Sequence, residues 1–192
     1  MDKPDHELMQ EYADGNQQAI EMIFERYKSK ILNFCVRILG NRADAEDVTG
    51  DVFLKLFANK YTYDPRAKFS TWLFTIARND CISRIRKRKN LVSIWFGNKN
   101  SEQADQWDIP DESHMPDHTA KQKETQTFVR RAIQQLPLEQ REAIVLREYH
   151  KMNYEDISKV LNCSLEKVKV LIFRGREKLR VELASFVKEE DQ

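Results

Sequence analysis

Apolar residues recur at three- and four-residue steps through the first half of the chain, the spacing of helices with one side facing a core. The pattern predicts a helix that ends at Gly40-Asn41, where glycine can adopt a left-handed closing conformation, and a second from about Ala43 to Phe57. A third is predicted from about Ser70, which can cap its start, and a weaker pattern predicts a short helix before residue 14. The expected inward positions are Ile20, Ile23, Phe24, Tyr27, Ile31, Phe34, Cys35 and Ile38, then Val48, Val52, Phe53 and Leu56.

The apolar period stops between about residues 97 and 120 and then returns. Between Lys99 and Lys121 the chain holds six acids and no Lys or Arg, a composition that predicts a flexible acidic linker. The apolar island Ser93–Phe96 before it is interpreted as a strap onto the first domain. Helical periodicity resumes near Thr125, and Pro137 is expected to end one helix and start the next. The predicted fold is therefore all-α, with domains at 1–96 and 125–192 joined by a linker at 97–124.

Two short helices near the C-terminal end meet at a polar turn, which is the pattern of a helix-turn-helix. Asn153 is expected to cap the first helix and Ser164 the second. One side of the second helix is apolar and carries Leu165, Val168, Ile172, Leu179 and Leu183. The other side is mixed and carries Glu166, Lys167, Val170, Phe173, Arg174 and Lys178. A helix that enters the major groove needs such a mixture, with cations for phosphates and other side chains for base edges.

A charged side opposite an apolar stripe is also typical of a helix that is merely solvated. Val170 and Phe173 weigh against that alternative, because a solvated side has no use for apolar groups among its charges. They can touch thymine methyl groups or pack on another helix. The segment favours DNA binding without indicating which kind of DNA-binding protein this is.

The net charge of +1 conceals a strong asymmetry along the chain. Counting Lys and Arg against Asp and Glu, residues 1–59 carry −4, 60–93 carry +7, 94–124 carry −4 and 125–192 carry +2. The basic block includes Arg78 and the run Arg84, Arg86, Lys87, Arg88 and Lys89 at the end of the third helix. Repulsion within so dense a run of like charges lowers stability unless a polyanion neutralises it. The run therefore favours a nucleic-acid surface over a solvated helix end.

Aromatic residues accompany this basic block. Most of them are expected in the core, but Tyr61 and Tyr63 lie in the predicted loop and are better placed to stack on unpaired bases. The second helix is acidic on its outer side, through Asp44, Glu46, Asp47 and Asp51. That side is interpreted either as a solvated face or partner of the basic tract, or as a docking surface for a basic protein.

The sequence carries no phosphate-binding glycine loop, nucleophile elbow or HExxH motif, and no cofactor or enzymatic activity is expected. Three dispersed cysteines, Cys35, Cys81 and Cys163, are interpreted as reduced structural thiols. His114 and His118 could bind a metal with Asp111 and Asp117, but they are interpreted as solvated linker residues and no metal site is predicted. No signal peptide or membrane-spanning run occurs, so a cytoplasmic protein without direct membrane insertion is expected.

Together, these segments resemble the extracytoplasmic-function (ECF) class of bacterial sigma factors within the sigma-70 family. The resemblance covers nearly the whole chain. It rests, in order, on residues 44–53 (DAEDVTGDVF), residues 69–79 (FSTWLFTIARN), Leu136-Pro137 followed by Arg141 and Leu146, and the helix-turn-helix.

The resemblance implies roles for particular residues in the first domain. The acidic helix would dock on the clamp helices of the largest subunit of core RNA polymerase through Asp44, Glu46, Asp47 and Asp51. The third helix and the preceding loop would bind and melt the −10 promoter element, with Asn79 contacting a flipped-out base and Trp72 mostly structural. The implied −10 residues are Tyr63, Lys68, Arg78, Asn79, Arg84, Arg86 and Lys87.

In the second domain, the resemblance implies that the helix-turn-helix recognises the −35 element. The implied −35 residues are Lys167, Lys169, Val170, Phe173, Arg174, Arg176 and Lys178. The C-terminal helices would also bind the polymerase flap tip, the linker would thread toward the RNA exit path, and an anti-sigma factor is an expected further partner.

Two departures from the family pattern limit what can be transferred. Gly50 stands where glutamine is usual, which puts one polymerase contact in doubt. Glu166-Lys167 and Val170-Leu171 replace the pairs the family favours, so base preference at −35 does not carry over and these pairs are the expected determinants of this chain's promoter preference. The main rival is a two-domain transcriptional regulator whose N-terminal half binds a ligand or dimerises, and a nucleic-acid enzyme is a more distant one.

Overall fold

The computed structural model of this chain describes residues 3–58, 63–96 and 120–190. Every regular element in these ranges is a helix, which confirms the predicted all-α class. Contacts between residues divide the chain into two compact units, Met1–Asp108 and Ile109–Gln192, and each unit is described by itself.

The first unit consists of four helices: α1 (Asp5–Ala13), α2 (Gln17–Leu39), α3 (Arg42–Ala58) and α4 (Phe69–Phe96). Helix α2 is central, because it packs against each of the other three. Phe34 of α2 meets Phe74 of α4 edge to face, with ring centroids 5.4 Å apart, a favoured arrangement of aromatic rings. The inward positions predicted for α2 and α3 are buried, except that Phe24 stays partly exposed where its ring contacts Phe53.

Helix ends follow the predicted signals in one case and depart from them in another. Gly40 has a φ of 73° and its amide donates to the Val36 carbonyl, so it closes α2 in the left-handed conformation as predicted. The prediction of Ser70 as an N-cap is wrong, because α4 already begins at Phe69 and the Trp72 amide bonds to the Lys68 carbonyl. Residues 93–96, predicted as a strap, belong to the end of the same helix.

The second unit contains α5 (Ala120–Gln135), α6 (Leu138–Ile144), a π-helical turn at Val145–Tyr149, α7 (Tyr154–Leu161) and α8 (Leu165–Glu190). Helix α5 begins at Ala120, five residues before the predicted start of the second domain at residue 125. Pro137 occupies the N-cap of α6, as its missing amide hydrogen and fixed φ favour. The core gathers apolar residues of every one of these helices, among them Ile133, Leu146, Ile157 and Ile172.

The helix-turn-helix is formed by α7 and α8, as predicted. The Asn153 side chain accepts a hydrogen bond from the Asp156 amide at 2.7 Å, and the Ser164 hydroxyl accepts one from the Lys167 amide at 3.2 Å. Both caps satisfy amides that a helix start leaves unpaired. Asn162 supplies the left-handed residue of the turn, with a φ of 52°.

Gly175 fixes how closely α8 can approach α6. A β-carbon added at Gly175 would lie 2.6 Å from Cγ1 of Ile144, whose side chain is fully buried. Gly50 in α3 is the opposite case, because a β-carbon there would meet no atom within 4 Å.

The two glycines therefore predict opposite effects of the same substitution. Gly175→Ala should lower the free energy of unfolding by about 1–3 kcal/mol, because the buried Ile144 has little room to move. Gly50→Ala should raise it by about 0.5–1 kcal/mol, since alanine is the better helix former and the position is open. Urea unfolding of the two variants and the parent chain measures both effects, and a stabilising Gly175→Ala would contradict the packing described.

Candidate functional site

The acidic side of α3 is held against α4 by ion pairs. Nε of Arg84 lies 2.9 Å from Oδ1 of Asp44, and the same guanidinium donates to Asp47. Further along, Lys55 of α3 pairs with Asp80 of α4, so cations cross the contact in both directions. Arg84 was predicted as a −10 DNA residue, and the structure instead brings it together with two acids of the predicted docking set.

The remaining docking acids differ in their surroundings. Glu46 pairs with Arg42 one turn earlier, with 2.9 Å between Oε1 and Nε. Asp51 is exposed and forms no ion pair with any described residue. Three of the four predicted docking acids thus already have a cation partner within the chain.

Tyr63 is not an exposed stacking residue, which corrects that interpretation of the loop. Its side chain is only 7% exposed, its hydroxyl donates to the Ala67 carbonyl at 2.8 Å, and its ring lies edge-on to Phe69. Burial, assisted by the charges of Asp5 and Asp64, raises the pKa of Tyr63 and keeps the hydroxyl as a donor. The ring lies inward because it packs against Phe69 and Trp72. Tyr61, the other stacking candidate, lies outside the described residues.

The predicted −10 residues on α4 are arranged along its outer side. Trp72 is half-buried and contacts the rings of Tyr63 and Phe69, which agrees with a mostly structural role. Asn79 is exposed, and Arg78 beside it is half-buried. Lys68 is exposed at the residue before α4, and the exposed Arg86 and Lys87 form no ion pair with a described residue.

The outer side of α8 carries exposed apolar groups among cations, as predicted. Phe173 is 66% exposed and Val170 is 44% exposed. Lys169, Arg174 and Lys178 are exposed and form no ion pair with any described residue. This side therefore offers cations and apolar surface together to a partner in solution.

Two other cations of α8 are bound to acids of the preceding helices. Nζ of Lys167 lies 2.8 Å from Oε1 of Glu139 in α6. The Arg176 guanidinium lies 2.6 Å from Glu148 in the π-helical turn, and this hydrogen bond raises the pKa of Arg176. These pairs could not be predicted from local spacing, because each joins residues 28 positions apart.

The apolar side of α8 differs from the predicted stripe in two ways. Leu171 is buried, so it is unavailable as a determinant of promoter preference, and the prediction that paired it with Val170 is wrong on this point. Leu179 and Leu183 are only half-buried, because they line an open groove rather than the core. The groove measures about 590 Å³ and is lined by Ile144, Glu148, Arg176, Leu179, Arg180, Leu183 and Ala184.

Arg141 joins the end of α5 to the start of α6. Its guanidinium donates to the carbonyls of Gln134 and Leu136, the second at 3.2 Å. Burial lowers the pKa of Arg141 to about 10, while the charge of Glu142 acts in the opposite direction. The side chain thus remains charged at neutral pH and holds the two carbonyls that the break at Pro137 leaves open.

Sequence reasoning missed two residues that shape these surfaces. Gly175 carried a signal, because a lone glycine within a helical pattern often marks a close backbone approach. Leu54 is 64% exposed on the acidic side of α3. Its helical spacing, one turn after Gly50 and away from the inward positions, could have predicted that it lies on the outer side.

No cluster of His, Cys, Asp or Glu suited to a metal ion occurs in the part of the chain that the structure describes. The four linker residues considered for a metal, Asp111, His114, Asp117 and His118, lie outside that part. Among the described helices, none is both long enough and apolar enough to cross a membrane.

Family models match both units. The model for sigma-70 region 2 matches residues 23–91, which include α3 and most of α4. The model for sigma-70 region 4 matches residues 129–179, which include α7 and the first part of α8.

Known proteins of similar sequence carry the same family name. The ECF RNA polymerase sigma factor SigW of Bacillus subtilis (strain 168) is 35% identical over 172 residues, covering 88% of this chain and 91% of the relative. The RNA polymerase sigma-H factor of Pseudomonas aeruginosa is 28% identical over 192 residues, covering 96% of each chain.

Solved structures agree with this similarity. The sigma factor RpoE, in a complex with the anti-sigma factor NepR from Bartonella quintana, has a TM-score of 0.72 at 23% identity over 86% of this chain and 96% of that one, a likeness of fold alone. CnrH, in a complex with the cytosolic domain of CnrY, has a TM-score of 0.69 at 25% identity over 95% of this chain and 99% of that one.

A helix-turn-helix whose second helix exposes Lys169, Arg174 and Lys178, none of them in an ion pair with a described residue, is typical of a DNA-binding protein. The matches to regions 2 and 4 and to full-length relatives then identify the family. The chain belongs to the sigma-70 family and is an RNA polymerase sigma factor of the ECF class, which acts in promoter recognition.

Proposed function

We propose that the two units divide the work of promoter recognition between them. Residues 1–96 form the region 2 domain that docks on core polymerase and engages the −10 element, and residues 125–192 form the region 4 domain that binds the −35 element. The outer side of α8 is the observation that carries this proposal, because Phe173 and Val170 are exposed beside Lys169, Arg174 and Lys178, which form no ion pair with any described residue.

In this proposal α3 is the docking helix, through Asp44, Glu46, Asp47 and Asp51, and the clamp helices of the largest polymerase subunit are its partner. Arg84 contributes differently from the sequence expectation. Because it pairs with Asp44 and Asp47, we assign it a positioning role that sets the acids of α3 beside the DNA-binding side of α4.

The −10 contacts are proposed for the outer side of α4 and the loop before it. Asn79 would hold an unpaired base, Lys68, Arg78, Arg86 and Lys87 would bind phosphates, and the buried Tyr63 would shape the loop. Opening the duplex requires binding energy rather than hydrolysis: flipping a base costs a few kcal/mol, which contacts to the flipped base must offset. The protein accordingly needs no active site, and we propose that it is not an enzyme.

At the −35 element, Lys169, Val170, Phe173, Arg174 and Lys178 would face the DNA. Lys167 and Arg176, which pair with Glu139 and Glu148, would orient α8. Val170 and Phe173 are suited to thymine methyl groups in the major groove. Exposed Glu166 would disfavour phosphate contacts at the start of α8 and so contribute to base preference.

The groove beside α8 is the proposed site for the polymerase flap tip. Its floor is apolar and its rim carries Arg180 and the Arg176–Glu148 pair, which suits an amphipathic helix. An anti-sigma factor is a further proposed partner, in line with the sigma factor RpoE, whose solved structure contains the anti-sigma factor NepR. We propose that the protein works in the cytoplasm, where polymerase and DNA are.

Reconstitution with core polymerase tests the proposed function as a whole. The purified chain should bind core polymerase and direct runoff transcripts from a subset of promoters in a library, whereas core polymerase alone should not. A two-domain regulator that acts without core polymerase would instead bind DNA but yield no promoter-dependent transcript, and that result would reject the proposal.

Asn79→Ala should impair promoter opening without impairing duplex binding. The side chain is exposed on α4, so its loss should leave the fold intact and remove only the contact to the unpaired base. Permanganate reactivity of thymines in the −10 region should fall about tenfold or more, the cost of one lost base contact, while binding to a −35 duplex stays within twofold. Equal losses in both assays would contradict the assigned role.

Arg174→Gln and Arg176→Gln should separate a DNA contact from an orienting residue. Arg174 has no ion partner among the described residues, so its loss should reduce the slope of log affinity against log salt by about 0.9, the contribution of one phosphate. Arg176 is bound to Glu148, so its replacement should leave that slope nearly unchanged. Fluorescence anisotropy with a −35 duplex at several salt concentrations gives both slopes. Equal slope changes would show that the ion pair opens on DNA.

A further inference from the structure

An apolar stripe runs along the outer side of α3, through Gly50, Leu54 and Phe57. Their spacing of four and three residues places them on one side of the helix, opposite the buried Val48 and Val52. Leu54 is 64% exposed and Phe57 is 38% exposed, so the unit presents this stripe to solvent. Exposed apolar surface of this kind, edged by polar residues, is typical of a protein interaction site.

Gly50 leaves the stripe open at its N-terminal end, next to Leu54. A side chain in a helix leans toward the N-terminus and lies over the preceding turn, so Leu54 leans over position 50. No atom lies within 4 Å of the place where a β-carbon of Gly50 would be. The flank of Leu54 is therefore uncovered, whereas a long side chain at position 50 would shield it.

Three of the four acids beside the stripe are poor sources of affinity. Asp44 and Asp47 already contact Arg84, and Glu46 contacts Arg42. A basic partner would exchange one exposed ion pair for another, and exposed pairs contribute little. Burial of a leucine and part of a phenylalanine contributes more, and desolvated apolar anchors surrounded by a polar rim are the usual centres of protein interfaces.

We propose that Leu54, with Phe57, is the apolar anchor on which core RNA polymerase docks, and that the acids of α3 form its rim. The partner that fits is an amphipathic helix with an apolar ridge edged by Lys and Arg, because Asp47 and Asp51 flank the stripe. The inference rests on the proposed docking of α3. It goes beyond that proposal because it assigns the main contact to Leu54 rather than to the carboxylates. Gly50, one turn before Leu54, has no side chain that would cover it.

The test measures binding of the full chain to core polymerase without DNA, so that no DNA contact contributes. Leu54→Ser should weaken binding about ten- to a hundredfold, the range expected when one leucine side chain is no longer buried. Leu54→Met should stay within about threefold, because it keeps the apolar area. Asp51→Asn should cost less than Leu54→Ser, since it alters only the rim.

Val181→Ser is the matched control, because Val181 is also 64% exposed but lies in the second unit. Its affinity should equal that of the parent chain, and the thermal midpoints of Val181→Ser and Leu54→Ser should both stay close to that of the parent. If Leu54→Ser binds as tightly as the parent, or Asp51→Asn loses more than Leu54→Ser, the anchor is refuted while docking itself stands. If the parent chain fails to bind core polymerase, both the docking proposal and the anchor are refuted.

Discussion

The first unit depends on the packing of α3 against α4. These helices are joined by Arg84 with Asp44 and Asp47 at one end and by Lys55 with Asp80 at the other. From Asp44 to Lys55 the pairs advance along α3, while their partners go back along α4 from Arg84 to Asp80, which is the order found in antiparallel helices. One consequence is spatial: the acidic side of α3 and the basic side of α4 lie next to each other, which allows one small domain to face a protein and a nucleic acid at once.

In the second unit, a glycine and two ion pairs set the position of α8 on the preceding helices. Gly175 lets α8 approach Ile144 closely, and the pairs of Lys167 with Glu139 and Arg176 with Glu148 hold α8 on the preceding helices. Cations used in this way are not available to DNA without a change of partner. The ion pairs are the basis for the proposal that some basic residues of α8 orient the helix while others bind phosphates.

Local signals in the sequence were sufficient for most of the fold. Gly40, Asn153, Pro137 and Ser164 each mark a helix end through a local conformation or hydrogen bond, and each does so in the structure. Helix α4 begins at Phe69, one residue before the predicted start at Ser70, because the Trp72 amide donates a hydrogen bond to the Lys68 carbonyl and so extends the helix.

Features that depend on distant residues were less accessible. Tyr63 lies inward because it packs against Phe69 and Trp72 of α4. Arg84 pairs with Asp47 and Asp44, which are 37 and 40 positions away in the sequence. The spacing of residues on one helix does not identify a particular partner, although the charges of the acidic helix and the basic tract indicated that these two segments could pair. The residue sets for docking and for DNA remain proposals. The ion pairs of Arg84, Lys167 and Arg176 lead us to propose positioning roles for these three residues, and the exposure of Leu54 leads us to add it to the docking set.

The central claim is that the outer side of α3 faces polymerase while the outer side of α8 faces promoter DNA. Photocrosslinking measures this directly, with a photoreactive amino acid placed at position 54 or at position 173 in an assembled promoter complex. The account predicts that position 54 labels a polymerase subunit and not DNA, and that position 173 labels DNA in the −35 element. Labelling of DNA from position 54, or of polymerase alone from position 173, would contradict it.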